Sequence, residues 1–347
     1  MPESPTKGRA LDQRHITDTA PDALRYAPRG AGRRRVHRAG AWAAGLLLAG
    51  VSAVVGVRAA DRDGITPVPQ LLAFLPWLIV PTVAALLLAL LARWRTGMVW
   101  GVAALGALAW YMEPYGSTSG ATGVPVSGVR VLASNVQFGR GTHALIDTIT
   151  RHDPDIVFVE ECDYACQDTL ARDSLKTAYP YRRAVRAGGS EGSLILSVFP
   201  LKAAPAVAGT MGMPGAVADV RGHAVRLQLV HPMPPLPGQV GVWRTELGRL
   251  RGVAAARDGA MIMAGDFNAT QDHAAFRRIL DAGALRDAAR IDGVSRTPSW
   301  PSSAPGPLGT QIDHVLVSDG FSAEAVRFLR LAETDHRAVL ADLTLRR

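Results

Sequence analysis

The stretch MIMAGDFNAT, residues 261–270, sets the fold class. An apolar run at 261–264 stops at Gly265, Asp266, Phe267 and Asn268. Gly, Asp and Asn are turn residues, so the segment reads as a short buried strand with polar groups at its end. The same pattern recurs along the chain. Short apolar runs lie at 129–136, 156–159, 194–199, 225–230, 312–317 and 339–345. Polar residues stand at their ends: Ser134-Asn135, Glu160-Glu161, His231, Asp313-His314 and, just before the last run, Asp335-His336. Helical patterns at 142–151, 244–256 and 272–282 lie between them. Strands mixed with helices predict a layered α/β fold. An acid, amide or imidazole at a strand end sits at the rim of a sheet, where several such ends can converge.

These strands occupy only the last two thirds of a 347-residue chain whose formal net charge is +8. Residues 1–40 hold nine Lys/Arg against four Asp/Glu, whereas residues 129–347 hold 25 against 23. The basic excess is therefore terminal, and the 129–347 domain lacks the cationic surface that a nucleic-acid backbone requires. Hydrophobic content of 48% excludes disorder for most of the chain, and two cysteines exclude a disulfide scaffold. The sequence divides into a basic disordered tail (1–40), an apolar region (41–112), a Gly/Ser/Thr/Pro linker (113–128) and the α/β domain (129–347).

The apolar region predicts three transmembrane helices. Residues 41–57 and 71–92 carry no charge, and a third run, 98–112, has Trp100, Trp110 and Tyr111 as interfacial anchors near its ends. Arginines 29, 33, 34, 35 and 38 precede the first run, and Arg93 and Arg95 separate the second from the third. By the positive-inside rule both basic segments are cytoplasmic, which predicts a multi-pass protein of the cell membrane with an extracytoplasmic domain. If the third run did not span, the domain would lie in the cytoplasm.

The polar strand ends suit one chemistry. Carboxylates such as Glu161 and Asp335 are hard oxygen ligands for Mg²⁺ or Mn²⁺. The amides Asn135 and Asn268 can hold phosphate oxygens without adding charge. His336, oriented by Asp313, can act as acid or base, and Asp266 can align a water. Together these groups suit metal-assisted hydrolysis of a phosphoester.

The set SNVQ (134–137), DIVFVEE (155–161), GSLILSVFPL (192–201), HP (231–232), GDFNAT (265–270), QIDHVLVS (311–318) and TDHRAVLADL (334–343) resembles the endonuclease/exonuclease/phosphatase superfamily. The resemblance implies a four-layered α/β sandwich, with two central sheets flanked by helices. It implies phosphate contacts from Asn135 and His231, a divalent metal on Glu161 supported by Asp335, and water activation by Asp266 beside Asn268. It also implies His336 oriented by Asp313. The family often has Gln-Glu where this chain has Glu160-Glu161, so either glutamate can be the ligand. Three apolar runs ahead of such a domain also resemble actinobacterial membrane proteins of the VanJ type, linked to teicoplanin resistance. That likeness implies a lipid-linked envelope phosphate, such as a polyprenyl pyrophosphate, as substrate and the bilayer as partner.

Other functions remain to be weighed: an anchored nuclease, a sphingomyelinase-like phosphodiesterase, or a non-catalytic module binding a lipid phosphate or an antibiotic. The near-neutral domain argues against the first. Sparse aromatics argue against the choline cage that the second needs. Cys162 and Cys166 are either a disulfide bracing the metal-binding loop or two small residues. His314 reads as structural, and Arg182, Arg183 and Arg186 as a solvated face.

Overall fold

A computed structural model describes residues 29–118, 121–305 and 307–347. Part of the tail, residues 1–28, lies outside them. Four helices come first: α1 (Arg29–Ala59), α2 (Val68–Ala73), α3 (Ile79–Leu91) and α4 (Arg95–Met112). Two six-stranded sheets follow. One has the order β11 (Phe321–Arg330), β12 (Arg337–Arg346), β1 (Pro125–Asn135), β2 (Ile156–Glu160), β4 (Ser193–Ser197), β3 (Tyr181–Val185). The other runs β5 (Leu201–Val207), β6 (Met213–Val220), β7 (His223–Val230), β8 (Ala260–Asp266), β10 (Asp313–Val317), β9 (Arg286–Asp287). The helices of this region are α5 (Thr142–His152), α6 (Tyr164–Leu170), α7 (Asp173–Ala178), α8 (Val240–Ala255), α9 (Ala274–Gly283) and α10 (Ala288–Ile291).

The two sheets pack face to face. Val131, Phe158 and Ile195 of one meet Leu227, Ile262 and Val315 of the other in a common buried core. The outer face of the first sheet buries Leu132 and Val157 against Leu145 and Ile149 of α5. The outer face of the second buries Met261 and Met263 against Trp243 and Leu247 of α8 and Phe276 of α9. The result is an α/β sandwich of two mixed sheets flanked by helices. Each sheet holds one parallel pair at its centre, β1–β2 and β7–β8, so the ends of these strands share one edge of the sandwich.

The three expected membrane helices are not confirmed. Among the described residues, the one helix long and apolar enough to cross a membrane is 35–59. The uncharged run 71–92 is not one helix. α2 ends at Ala73, a 3₁₀ turn covers Leu75–Leu78, and α3 has only 13 residues, about 20 Å. Pro76 lies in that turn and has no N–H to continue the ladder. α4 (Arg95–Met112) has 18 residues but is not apolar enough over that length to count as a span. The multi-pass, extracytoplasmic placement therefore has no support from helix length.

The helical segment docks closely onto the sandwich instead of standing off on its linker. Asp63 accepts from the N–H groups of Ala274 (2.7 Å) and Ala275 (3.2 Å), capping α9 from more than 200 residues away. Asp61 pairs with Arg277 and Arg278 of the same helix. Arg296 donates to the carbonyls of Tyr111 (2.7 Å) and Met112 (3.2 Å) at the end of α4. Arg296 also pairs with Asp272 (2.7 Å).

Candidate active site

The rim shared by β1, β2, β7, β8 and β10 gathers the polar strand ends. Asn135 closes β1, and its amide lies 3.1 Å from Glu161 Oε1 and 3.3 Å from Asp266 Oδ2. Its own Oδ1 accepts from the Gln137 N–H, which fixes the amide's orientation. Glu161 follows β2 with φ +55°, a left-handed backbone that carries its carboxylate out of the sheet and into the cleft. The Phe138 N–H donates to its other oxygen (3.1 Å).

Glu160 behaves differently. It is fully buried, its oxygens lack hydrogen-bond partners, and a Cβ on Gly265 would stand 2.7 Å from Oε1. Burial, then Asp313 and Asp266, pushes its pKa well above the usual carboxylate range. Of the two glutamates that the sequence leaves open, Glu161 is the one whose carboxylate reaches the cleft.

His231 presents Nε2 to Glu161 (3.7 Å) and Asp266 (3.9 Å). Burial, reinforced by His336, lowers its pKa to about 3, so the ring is neutral. His336 is the opposite case. Burial alone would lower its pKa, but Asp313 and then Asp266 raise it to about 10. Its Nδ1 meets Asp313 Oδ2 at 2.9 Å, and Nε2 lies 3.8 Å from Asp266. His336 is therefore an imidazolium between two carboxylates. Asp266 itself is raised to about 7, by burial first, with Asp313 adding to it against His336. The Asn268 N–H donates to Asp266 Oδ1 (2.8 Å), and the Asn268 side chain to the Pro232 carbonyl (3.0 Å).

All eight residues singled out from the sequence lie in or beside this cleft. Asp335 sits at its edge, where it accepts from the Trp300 indole N–H (3.0 Å). Three positioning groups escaped the sequence reading. Ser299 Oγ accepts from the N–H groups of Ile312 (3.0 Å) and Asp313 (3.1 Å). Trp300 holds Asp335. Thr334 Oγ1 donates to the Asn135 carbonyl (2.8 Å) and so ties the last motif to the first. Ser299 and Trp300 stand in an irregular Ser/Pro-rich loop without periodicity, whereas Thr334 was visible beside Asp335.

His314 pairs with Asp287 (2.7 Å) and the Ala269 carbonyl (3.0 Å), away from the cleft, in a structural role. Arg182 donates to the Tyr179 and Leu170 carbonyls, and Arg186 pairs with Asp168. Cys162 and Cys166 are bridged across 5.2 Å between Cα atoms, directly behind Glu161.

The donor set fits a hard divalent cation. Asp266, Asp313 and His336 offer ligand atoms within 4.8 Å of one another, and Glu161 and Asp335 face the same cleft. Four of these five groups are carboxylates, the oxygen donors that Mg²⁺ or Mn²⁺ prefers.

A buried neutral histidine, a charged one and paired carboxylates at the rim of a two-sheet sandwich are the equipment of a phosphoester hydrolase. The profile of the Endonuclease/Exonuclease/phosphatase family matches residues 132–336, and the chain belongs to that family. Members of the family are generally hydrolases acting on phosphoesters and use divalent metals. In structure the chain resembles the endonuclease/exonuclease/phosphatase from Beutenbergia cavernae DSM 12333, at 19% identity and TM-score 0.51, over 63% of this chain and 72% of that one. It also resembles humanized D. rerio TDP2 carrying 14 mutations, at 14% identity and TM-score 0.50, over 63% and 99%. At these identities the likeness is one of fold. No curated protein sequence matches.

Proposed function

We propose that this protein is a membrane-anchored, divalent-metal-dependent phosphohydrolase acting outside the cytoplasm. Its substrate is a phosphate or pyrophosphate ester of a lipid-linked envelope intermediate, such as a polyprenyl pyrophosphate. The observation that carries the reading is the convergence of Asn135, Glu161, His231, Asp266, His336 and Asp313, each linked to the next by a contact under 4 Å.

Glu161, with Asp335 beside it, would hold the metal, which supplies Lewis-acid polarisation of the phosphoryl group. Asn135 and the neutral ring of His231 donate to phosphate oxygens. Asp266 orients the attacking water and takes its proton. The imidazolium of His336 stabilises charge on the phosphoryl oxygens, and Asp313 keeps it protonated. One P–O bond forms to water and the ester P–O bond, or in a pyrophosphate the anhydride P–O bond, breaks; the leaving oxygen is protonated from solvent where it is an alkoxide.

Membrane anchoring by three packed helices is supported by what α1, α3 and α4 expose. Trp42 (75%), Leu46, Val83, Leu87, Val99, Val102 and Trp110 (78%) point away from the protein, while Ala44, Ala85, Ala89 and Ala104 fill the space between helices. Small residues inside and large apolar ones outside are the pattern of helices solvated by lipid. The docking contacts come from the end of α1, the start of α2 and the end of α4, opposite the basic ends at Arg38, Arg93 and Arg95. With those basic ends cytoplasmic, the sandwich lies outside. A role in teicoplanin resistance belongs to the same proposal.

The test is turnover by the purified full chain with Mg²⁺ or Mn²⁺ on phosphomonoester, diester and pyrophosphate substrates, including a polyprenyl pyrophosphate. Loss of turnover in His336→Ala and Asp266→Ala is expected. Absence of any turnover, or its survival in both variants, refutes the reading. A reporter fused after Arg347 that is active in the cytoplasm refutes the placement.

A further inference from the structure

The catalytic cleft continues into a cavity of about 510 Å³ with an almost wholly apolar wall. His336 and Asn268 of the catalytic cleft are part of its lining. One side is Pro234, Pro235 and Leu236, from the loop that follows His231, and Leu236 is half exposed. Another part of the lining is Ala73 and Phe74, from the end of α2, with Trp300 beside them. The Phe74 and Trp300 rings are 6.5 Å apart. Polar groups on these walls hold the walls together. The Gln70 amide donates to the Pro235 carbonyl, Thr310 Oγ1 to the Ala73 carbonyl (2.6 Å), and the Trp300 N–H to Asp335.

We infer that this cavity receives the hydrocarbon chain of a lipid phosphate whose head lies at His336, and that the helical segment supplies one wall of the substrate site. The inference rests on the phosphohydrolase reading and names where its substrate is recognised.

Three features select that occupant. His336 is the one ionisable side chain on the cavity lining among the described residues, so the phosphate end has a single address. The walls beyond it offer no cation for a second phosphodiester, which a polynucleotide would need. Phe74 directly precedes the 3₁₀ turn that leads into α3, whose Val80, Val83 and Leu87 are exposed. The cavity wall at Phe74 is thus the next stretch of chain to the surface proposed to meet lipid. Each methylene buried on entry is worth about fourfold in affinity.

The experiment uses the full chain in phosphatidylcholine nanodiscs with Mg²⁺. Isothermal titration gives the affinity of dodecyl phosphate, ethyl phosphate and inorganic phosphate for wild type, Leu236→Asp and Phe74→Ala. Wild type is expected to prefer dodecyl over ethyl phosphate by at least tenfold, and each variant to reduce that preference at least fivefold. Bilayer partitioning of the probe is common to all three proteins and cancels in the comparison. An unchanged preference in both variants overturns the inference. So does an equal loss for inorganic phosphate, which would mean that the variants damage the phosphate site. An equal loss for a nitrophenyl ester of thymidine monophosphate would assign the cavity to a base and also overturns it. The organic probes are titrated as their phosphonate analogues, whose P–C bond the proposed hydrolysis cannot cleave, so binding is read without turnover and absence of turnover on the esters refutes the hydrolase reading separately.

Discussion

Asp313→Asn removes one negative charge from the centre of the proposed mechanism and little volume. Asp313 is buried and receives His336 Nδ1 at 2.9 Å. Burial disfavours the imidazolium; Asp313 is the largest of the charges that overcome burial and hold the His336 pKa at about 10. Against about 6.5 for free imidazole, that corresponds to roughly 5 kcal/mol in favour of the charged ring. An asparagine can accept one hydrogen bond but supplies no charge. The imidazolium should then be lost near neutral pH. The expected result is a fall in kcat of about 10²–10⁴-fold, with KM nearly unchanged because Asp313 does not face the substrate. The alkaline limb of kcat/KM should move down from near 10 towards about 6.5. Hydrolysis of p-nitrophenyl phosphate with Mg²⁺ from pH 5 to 10.5 reads both. Thermal unfolding in parallel should show a loss of about 3–5 kcal/mol, the usual cost of breaking a buried pair. Activity within threefold of wild type with an unmoved alkaline limb would refute the reasoning.

Three further outcomes are expected. Glu161→Gln should weaken Mn²⁺ binding by at least tenfold by calorimetry while leaving the melting temperature nearly unchanged; undiminished binding would move the ligand elsewhere, Glu160 included. Asp63→Ala should cost about 1 kcal/mol by uncapping α9, a fall in melting temperature of a few degrees, and a melt identical to wild type would show that the docked segment adds no stability. Burial lowers the pKa of His273, whose Nδ1 accepts from the Thr270 N–H (2.9 Å) and whose Nε2 lies 2.8 Å from the Pro69 carbonyl. Below about pH 6.5 the unfolded chain binds a proton there that the folded chain does not, so this stability is present above that pH and fades as pH falls. His273→Asn should therefore lose less melting temperature than wild type between pH 7 and pH 5; equal losses would assign the acid response to other groups.

Much of the site was legible because strand ends advertise themselves. An apolar run that stops at Asp266, Glu161 or His231 states both a strand and a polar group at its rim. Several strands were not legible. β3 (Tyr181–Val185) carries Arg182 and Arg183 on an exposed edge, and β11 (Phe321–Arg330) has a register shift between Glu324 and Arg327 that interrupts its alternation. Neither leaves a period for a sequence to display. Ser299 and Trp300 act on Asp313 and Asp335 from an irregular loop, where position in the chain carries no information about proximity.

By itself the sequence determined the α/β class, the order of the motifs, the terminal location of the positive charge and the residue types of the site. These are local properties, written in hydrophobic period and turn chemistry. The tertiary structure decided what depends on distance. It turned Glu161 into the cleft and Glu160 away from it, because a left-handed residue reverses the strand alternation. It made His231 neutral and His336 charged, because Asp313 bonds His336 at 2.9 Å and outweighs burial, whereas burial prevails at His231, whose nearest carboxylate is at 3.7 Å. It broke the longest apolar run at Pro76 and laid Phe74 beside Trp300, so that a segment read as membrane anchor also walls the cleft. Pro76 is a local signal, but desolvation and long-range contact set the two histidine charges and the Phe74–Trp300 contact, and neither is a function of the local sequence.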